Sequence, residues 1–262
     1  MINHQSIFNL HGKVAIVTGA YGDLGYEISK AYVESGASVI LTGINKNKLN
    51  LAQKKLLKFS NKVSSYILDV TKPYQVNKTI SLIIKKYGKI DILVTAAGVQ
   101  HRSSFIDFNH KAWDKVINTN LDGTFYCAQA ISKHMITRKT GRIIMITSLT
   151  AEIGIPNISA YAASRGGIKQ LSKTMAVELA PFGITVNSVG PGRFKTNMTK
   201  DIFSDTKKRK KLLDVIPMKR PGIPSDLKGI FIFLASDSSS YITGQSIYVD
   251  GGWLAGCGNI HG

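Results

Sequence analysis

The chain has 262 residues, long enough for one α/β domain with a substantial buried core. Its hydrophobic content is 44%, yet no run of about 18 apolar residues occurs, which argues against a transmembrane helix. Lys and Arg number 34 against 16 Asp and Glu, a net charge of +18. The densest run, "KKRKK" at 207–211, has no interleaved aromatic residues of the kind a nucleic-acid stacking platform needs. It reads as a solvated helix face, and neither nucleic acid nor membrane is expected as a partner.

From the N-terminus, "MINHQSIFNLHGK" lacks a basic segment followed by an apolar stretch, so no secretory leader is read there. Then short apolar runs alternate with helix-period stretches. "KVAIVT" (13–18) precedes a helix over 24–35, "ASVILT" (37–42) one over 48–59, and "VSSYIL" (63–68) one over 75–87. "DILVTA" (91–96) leads to a long helix over 113–139, "RIIMIT" (142–147) to one over 161–180, and "ITVNSV" (184–189) and "SIYVD" (246–250) follow. Most of these seven strands are apolar and β-branched on successive residues, the pattern of strands buried on both faces of a parallel sheet. Repeated βα units predict a doubly wound Rossmann fold: a seven-stranded parallel sheet with helices on both faces, in a single domain over 1–262. Residues 193–224, polar, basic and Pro-punctuated at the end, read as a flap over a site. Cys127 and Cys257 lack metal-ligand spacing, so no metal is expected, and two lone thiols suit a reducing cytoplasm.

"TGAYGDLG" (18–25) sits directly after the first strand and opens the first helix. Glycines there let the backbone approach a pyrophosphate, and the helix N-terminus offers unpaired N–H groups. Asp69 in "LDVT" either accepts from an adenine amino group or caps a helix. "TAAG" (95–98) is small enough for a ribose, or simply makes a tight turn. An acid at the end of the second strand would select NAD, and a base NADP. Here Gly43 and Ile44 are neither, while Lys46 and Lys48 are close, which tilts the choice between NAD and NADP toward NADP.

Ser148 lies thirteen residues before Tyr161, Asn120 sits in "NTNLDGTF", "PGRFKT" spans 191–196 and "ITGQSIYVDGG" spans 242–252. With "TGAYGDLG" and "TAAG", these segments resemble the short-chain dehydrogenase/reductase family over essentially the whole chain. "GVQHRSSF" (98–105), "SLTAEIG" (148–154) and "RFKTNM" (193–198) are most similar to gluconate 5-dehydrogenases and 2-deoxygluconate 3-dehydrogenases. The 3-oxoacyl-(acyl-carrier-protein) reductases are a little further off. The resemblance implies a catalytic set of Asn120, Ser148, Tyr161 and Arg165. Tyr161 would be the general acid in reduction, Ser148 would hold the substrate oxygen, and Asn120 would hold a helix-kinking water. It implies cofactor contacts from Gly19, Gly22, Asp23, Leu24, Gly25, Asp69, Val70, Ala97, Gly98, Tyr161, Arg165, Pro191, Gly192, Phe194 and Thr196, and a homotetramer. Substrate contacts would come from Ser148 and Tyr161, with Arg102, or else Arg193, receiving a carboxylate of an anionic small molecule.

Three departures stand out. Asp23 occupies a position usually filled by glycine, with Gly22 taking its place, and a carboxylate near a pyrophosphate is unfavourable unless it points away. Thr95 stands where the family has asparagine, and is expected to serve strand bonding. Arg165 replaces a lysine. A free tyrosine titrates near 10, so proton transfer near neutrality wants a neighbouring cation, and arginine one helical turn away supplies the charge. A guanidinium is planar and effectively undeprotonatable, so the lysine's part in proton relay is lost. The expectation is therefore a slow NAD(P)-dependent oxidoreductase acting on a sugar acid or polyol. The alternatives are a 3-oxoacyl thioester reductase docking an acidic carrier on its lysines, and a nucleotide-binding protein with little or no catalysis.

Overall fold

The computed structural model describes residues 7–256; Cys257 lies outside them. Seven strands form one parallel sheet: β1 (Val14–Thr18), β2 (Ser38–Gly43), β3 (Val63–Ile67), β4 (Ile92–Thr95), β5 (Gly141–Ile146), β6 (Ile184–Pro191) and β7 (Ser246–Val249). Their order is β3-β2-β1-β4-β5-β6-β7. The chain winds outward from β1 to β3, then returns to the other side of β1 to begin β4. That reversal opens a crevice at the C-terminal ends of β1 and β4, the place where open α/β sheets bind ligands.

Helices α1 (Asp23–Glu34), α2 (Lys46–Leu56), α3 (Pro73–Tyr87), α4 (His110–Ile117), α5 (Gly123–Arg138) and α6 (Ser159–Leu179) connect the strands. Successive strand residues feed opposite cores. Ala15 and Val17 pack with Ile28 and Tyr32 of α1 and Leu49 of α2, whereas Val14 and Ile16 pack with Ile80 of α3 and Ile131 of α5. The helices therefore cover both faces, as the doubly apolar strands require.

Three elements differ from the sequence reading. The stretch 113–139 is not one helix: α4 begins at His110, and a π-helical turn, Asn118–Asp122, separates it from α5. "KGIFIFLA" forms α9 (Lys228–Ala235), whose Phe231 and Leu234 are fully buried; a short apolar run without polar punctuation shows no period to read. Inside 193–224 the chain forms α7 (Lys200–Ser204) and the basic α8 (Thr206–Asp214), and a bridge between Phe194 and Gly222 closes the segment at its base. Among the described residues no helix is long and apolar enough to cross a membrane, and no group of three His, Cys, Asp or Glu could hold a metal ion. Cys127 is buried, and burial pushes its thiol up to about 12.

Candidate active site

One wall of the crevice is made of backbone. Gly19 leaves β1 at φ +62°, and a Cβ there would stand 2.7 Å from the Cα of Ala97. Thr18 Oγ1 accepts the N–H groups of Ala96 and Ala97, each at 3.1 Å, which locks the end of β4 against β1. A Cβ on Gly25 would meet the Gly19 carbonyl at 2.5 Å. Gly22 caps α1 in an extended conformation with no side-chain hydrogen bond, so the first helical N–H groups keep their donors for a ligand. Close backbone approach plus an uncapped helix N-terminus fits a dinucleotide diphosphate. Leu24 anchors the loop from below by packing on the core. Thr95 ends β4 and pairs with Thr18 of β1 and Met145 of β5, while its Oγ1 is buried without a hydrogen-bond partner.

The Asp23 carboxylate points away from the glycine loop. It accepts the Asn197 backbone N–H at 2.6 Å and the Asn197 side-chain amide at 2.9 Å. At the outer end, the Tyr21 ring lies on Gly43, where a Cβ would be only 2.5 Å from the ring edge. Lys48 Nζ sits 5.9 Å from the centre of that ring, and Asn45 caps α2 by accepting the Lys48 N–H at 2.9 Å. Tyr21, Lys48, Lys55, Asp23 and Asn197 line a cleft of about 390 Å³. One oxygen of Asp69 accepts the N–H and hydroxyl of Thr71 at 3.0 and 2.8 Å, a local turn, while Val70 is buried against Gly123.

The inner end carries the titratable groups. Asn120, in the π-helical turn, is completely buried; its Oδ1 accepts the Val99 N–H at 2.8 Å. Its Nδ2 donates to the Val99 carbonyl at 3.0 Å and to Ser164 Oγ at 3.1 Å. Ser164 Oγ in turn donates to the Tyr161 carbonyl at 2.7 Å, so one amide ties the end of β4, the helix break and the Tyr161 turn of α6 together. Ser148 leaves β5 and its Oγ accepts the Thr150 N–H at 3.3 Å, a weak cap on the following turn. Arg165 is only 4% exposed. Its guanidinium carbon lies 4.8 Å from the centre of the Tyr161 ring, stacked on the ring face. Nη1 donates to the Ile146 carbonyl at 2.6 Å, Nη2 lies against Gly98 where a Cβ would be 2.6 Å away, and Nε is buried without a partner. Among the described residues no carboxylate pairs with this cation.

The far wall follows β6. Pro191 ends the strand and Gly192 packs on Asp250, where a Cβ would stand only 2.6 Å from the Asp250 Cα. Phe194 is buried at the base of segment 193–224, and Thr196 opens the short turn Asn197–Thr199. Arg193 is half-buried, its Nε has no partner, and its guanidinium carbon stands 5.5 Å from the Trp253 ring centre. Burial first, and the charge of Arg102 second, lower its pKa, while Tyr161 acts in the opposite sense. The two arginines singled out from the sequence thus share a field with the tyrosine. Arg102 itself is exposed. Asn197, Ser164 and Trp253 had no sequence signal, because each earns a role only through a partner far away in the chain.

A model of the family described as enoyl-(acyl carrier protein) reductase matches residues 19–254. The gluconate 5-dehydrogenase of Gluconobacter oxydans is 36% identical over 251 residues, covering 96% of this chain and 98% of that protein. A 3-oxoacyl-[acyl-carrier-protein] reductase of Thermotoga maritima is 38% identical over 243 residues, covering 93% and 98%. The crystal structure of a gluconate 5-dehydrogenase from Burkholderia cenocepacia, in complex with NADP and tartrate, superposes with a TM-score of 0.94 at 33% identity, covering 97% of this chain and all (100%) of that one. With a glycine-rich loop between β1 and α1, Ser148 and Tyr161 at the family's spacing, and a likeness that runs nearly end to end, the chain belongs to the short-chain dehydrogenase/reductase family.

Proposed function

We propose that the protein is an NADP-dependent oxidoreductase that interconverts a carbonyl and an alcohol on a sugar acid. The observation that carries this reading is Arg165, a buried cation stacked on Tyr161 whose Nη2 fills the space beside Gly98, just beyond the end of β4. The nicotinamide supplies or takes the hydride. Tyr161 donates the proton to the carbonyl oxygen in reduction and takes it back in oxidation, and Ser148 steadies that oxygen. Arg165 keeps positive charge beside the tyrosine but relays no proton, so turnover is slow rather than absent. Asn120 holds the Tyr161 turn in register. Arg102 and Arg193 receive the carboxylate. The remaining cofactor contacts are the glycine loop, Asp69 and Val70, Ala97 and Gly98, and the turn from Pro191 to Thr196, in one domain with a flap over 193–224. Lys46 and Lys48 favour the 2′-phosphate of NADP, in keeping with the NADP named in a superposing structure.

Steady-state turnover on a panel of sugar acids, neutral polyols and 3-oxoacyl thioesters, with NADPH and NADH binding alongside, tests this directly. Turnover of the sugar acids is expected. Turnover of the thioesters alone would favour the second reading, which a 38% identical reductase and the lysine-rich faces support. We also propose a cytoplasmic homotetramer whose contacts use α4–α5 and α6, where Trp113, Phe125 and Val177 are exposed apolar residues; light scattering reads the mass.

A further inference from the structure

A negative charge in a diphosphate-binding loop needs an explanation, and Asp23 has one in the flap. The two donors that its carboxylate accepts both belong to Asn197, 174 positions away. Asn197 opens a turn that is bonded to itself: Thr199 Oγ1 accepts the Thr196 N–H at 3.0 Å and donates to the Phe194 carbonyl at 2.6 Å. Residues 194–199 thus form one small unit at the root of the flap, and the Asp23 bonds tie that unit to the first residue of α1.

A backbone N–H and an amide NH₂ aimed at one carboxylate make a two-donor seat for an anion. Phosphate oxygens make the same demand on such donors as carboxylate oxygens do. A dinucleotide brings its diphosphate to the N-terminus of the helix that follows the glycine loop. Here that helix begins with Asp23 itself.

We infer that Asp23 is a built-in anion that fills the two-donor seat at Asn197, clasps the flap to the nucleotide loop, and yields the seat to the diphosphate of the cofactor. The clasp closes the crevice before the nucleotide arrives and lowers nucleotide affinity, because binding must break two charge-assisted bonds. The inference rests on the nucleotide-binding part of the proposed function and is independent of the substrate.

Two measurements test it. The first is limited trypsin digestion of the cofactor-free protein, with Lys207, Arg209, Lys210 and Lys211 of α8 as cleavage sites in the flap. Asp23→Gly and Asn197→Ala should each speed nicking there severalfold, with Asp23→Asn intermediate; an unchanged rate in both overturns the clasp. The second is NADPH affinity by fluorescence titration. Asp23→Gly should tighten binding roughly tenfold, the scale of a charge-assisted hydrogen bond. In an Asn197→Ala background that gain should shrink, since the amide donor is gone and only the backbone N–H of the seat remains. An equal gain in both backgrounds would mean charge repulsion alone and would overturn the competition for the seat, as would no gain at all. The isosteric Asp23→Asn carries the same test if the glycine variant folds poorly. Failure of the native protein and every variant to bind NADPH would sink the nucleotide reading, and the digestion would then decide the clasp by itself.

Discussion

The two walls of the crevice are made by different means. Along β1 and β4, backbone packs on backbone: Gly19 against Ala97, Gly25 against Gly19, Thr18 bonded to two successive N–H groups. Along α6, β6 and the C-terminal turn, side chains line the crevice, and the guanidinium groups of Arg165 on α6 and Arg193 after β6 each bury a donor without a partner. A buried, unmatched donor costs on the order of 1–3 kcal/mol, more when charged. The first wall thus has a shape suited to what every dinucleotide has in common. The second carries two cationic groups, each with one Nε donor left over, which suits a ligand with oxygen acceptors.

The sharpest way to break this comparison is Tyr161→Phe. Turnover should fall by at least roughly 10²–10⁴-fold, the usual worth of general acid–base assistance, while NADPH affinity by fluorescence titration stays put. An untouched rate would end the catalytic assignment and favour a nucleotide-binding protein without catalysis. Next in size comes Arg165→Met, which should lower kcat about a hundredfold, within the range a neighbouring cation is worth. Arg165→Lys should instead raise kcat severalfold by restoring a side chain that can relay protons. If the lysine variant is slower, arginine is suited to this substrate and is no handicap.

Arg193→Met should raise KM for sugar acids about tenfold and leave KM for neutral polyols unchanged, because only the acids lose a charge-assisted bond. Equal losses on both would make Arg193 a packing residue under Trp253. The smallest effect is expected on the backbone wall's outer rim. Lys46→Ala with Lys48→Ala should weaken NADPH binding by about a factor of three to ten at low salt and less at high salt, with NADH unaffected. Equal losses for the two nucleotides would show that these lysines do not read the 2′-phosphate.

Much of this was legible in the chain. All seven strands lie within a residue or two of the apolar runs that announced them; the five inner ones are buried on both faces, which leaves a continuous apolar signature, while the edge strands β3 and β7 are only partly buried. The glycine loop was legible because close backbone approach tolerates no Cβ. The break in the helix over 113–139 was not. A π-helical turn at Asn120 is held by bonds to Val99 and Ser164, 21 and 44 positions away, and no local periodicity records them.

The sequence by itself determined the order of strands and helices, the nucleotide loop and the Ser148–Tyr161 spacing, because these follow from local sterics and from the periods of two kinds of backbone. Only the tertiary structure decided what the charges do. It set Asp23 on Asn197, Arg165 on the face of Tyr161, and Arg193 beside Trp253. A charged side chain reaches several ångströms from its own backbone, and its partner is whichever segment the fold brings there.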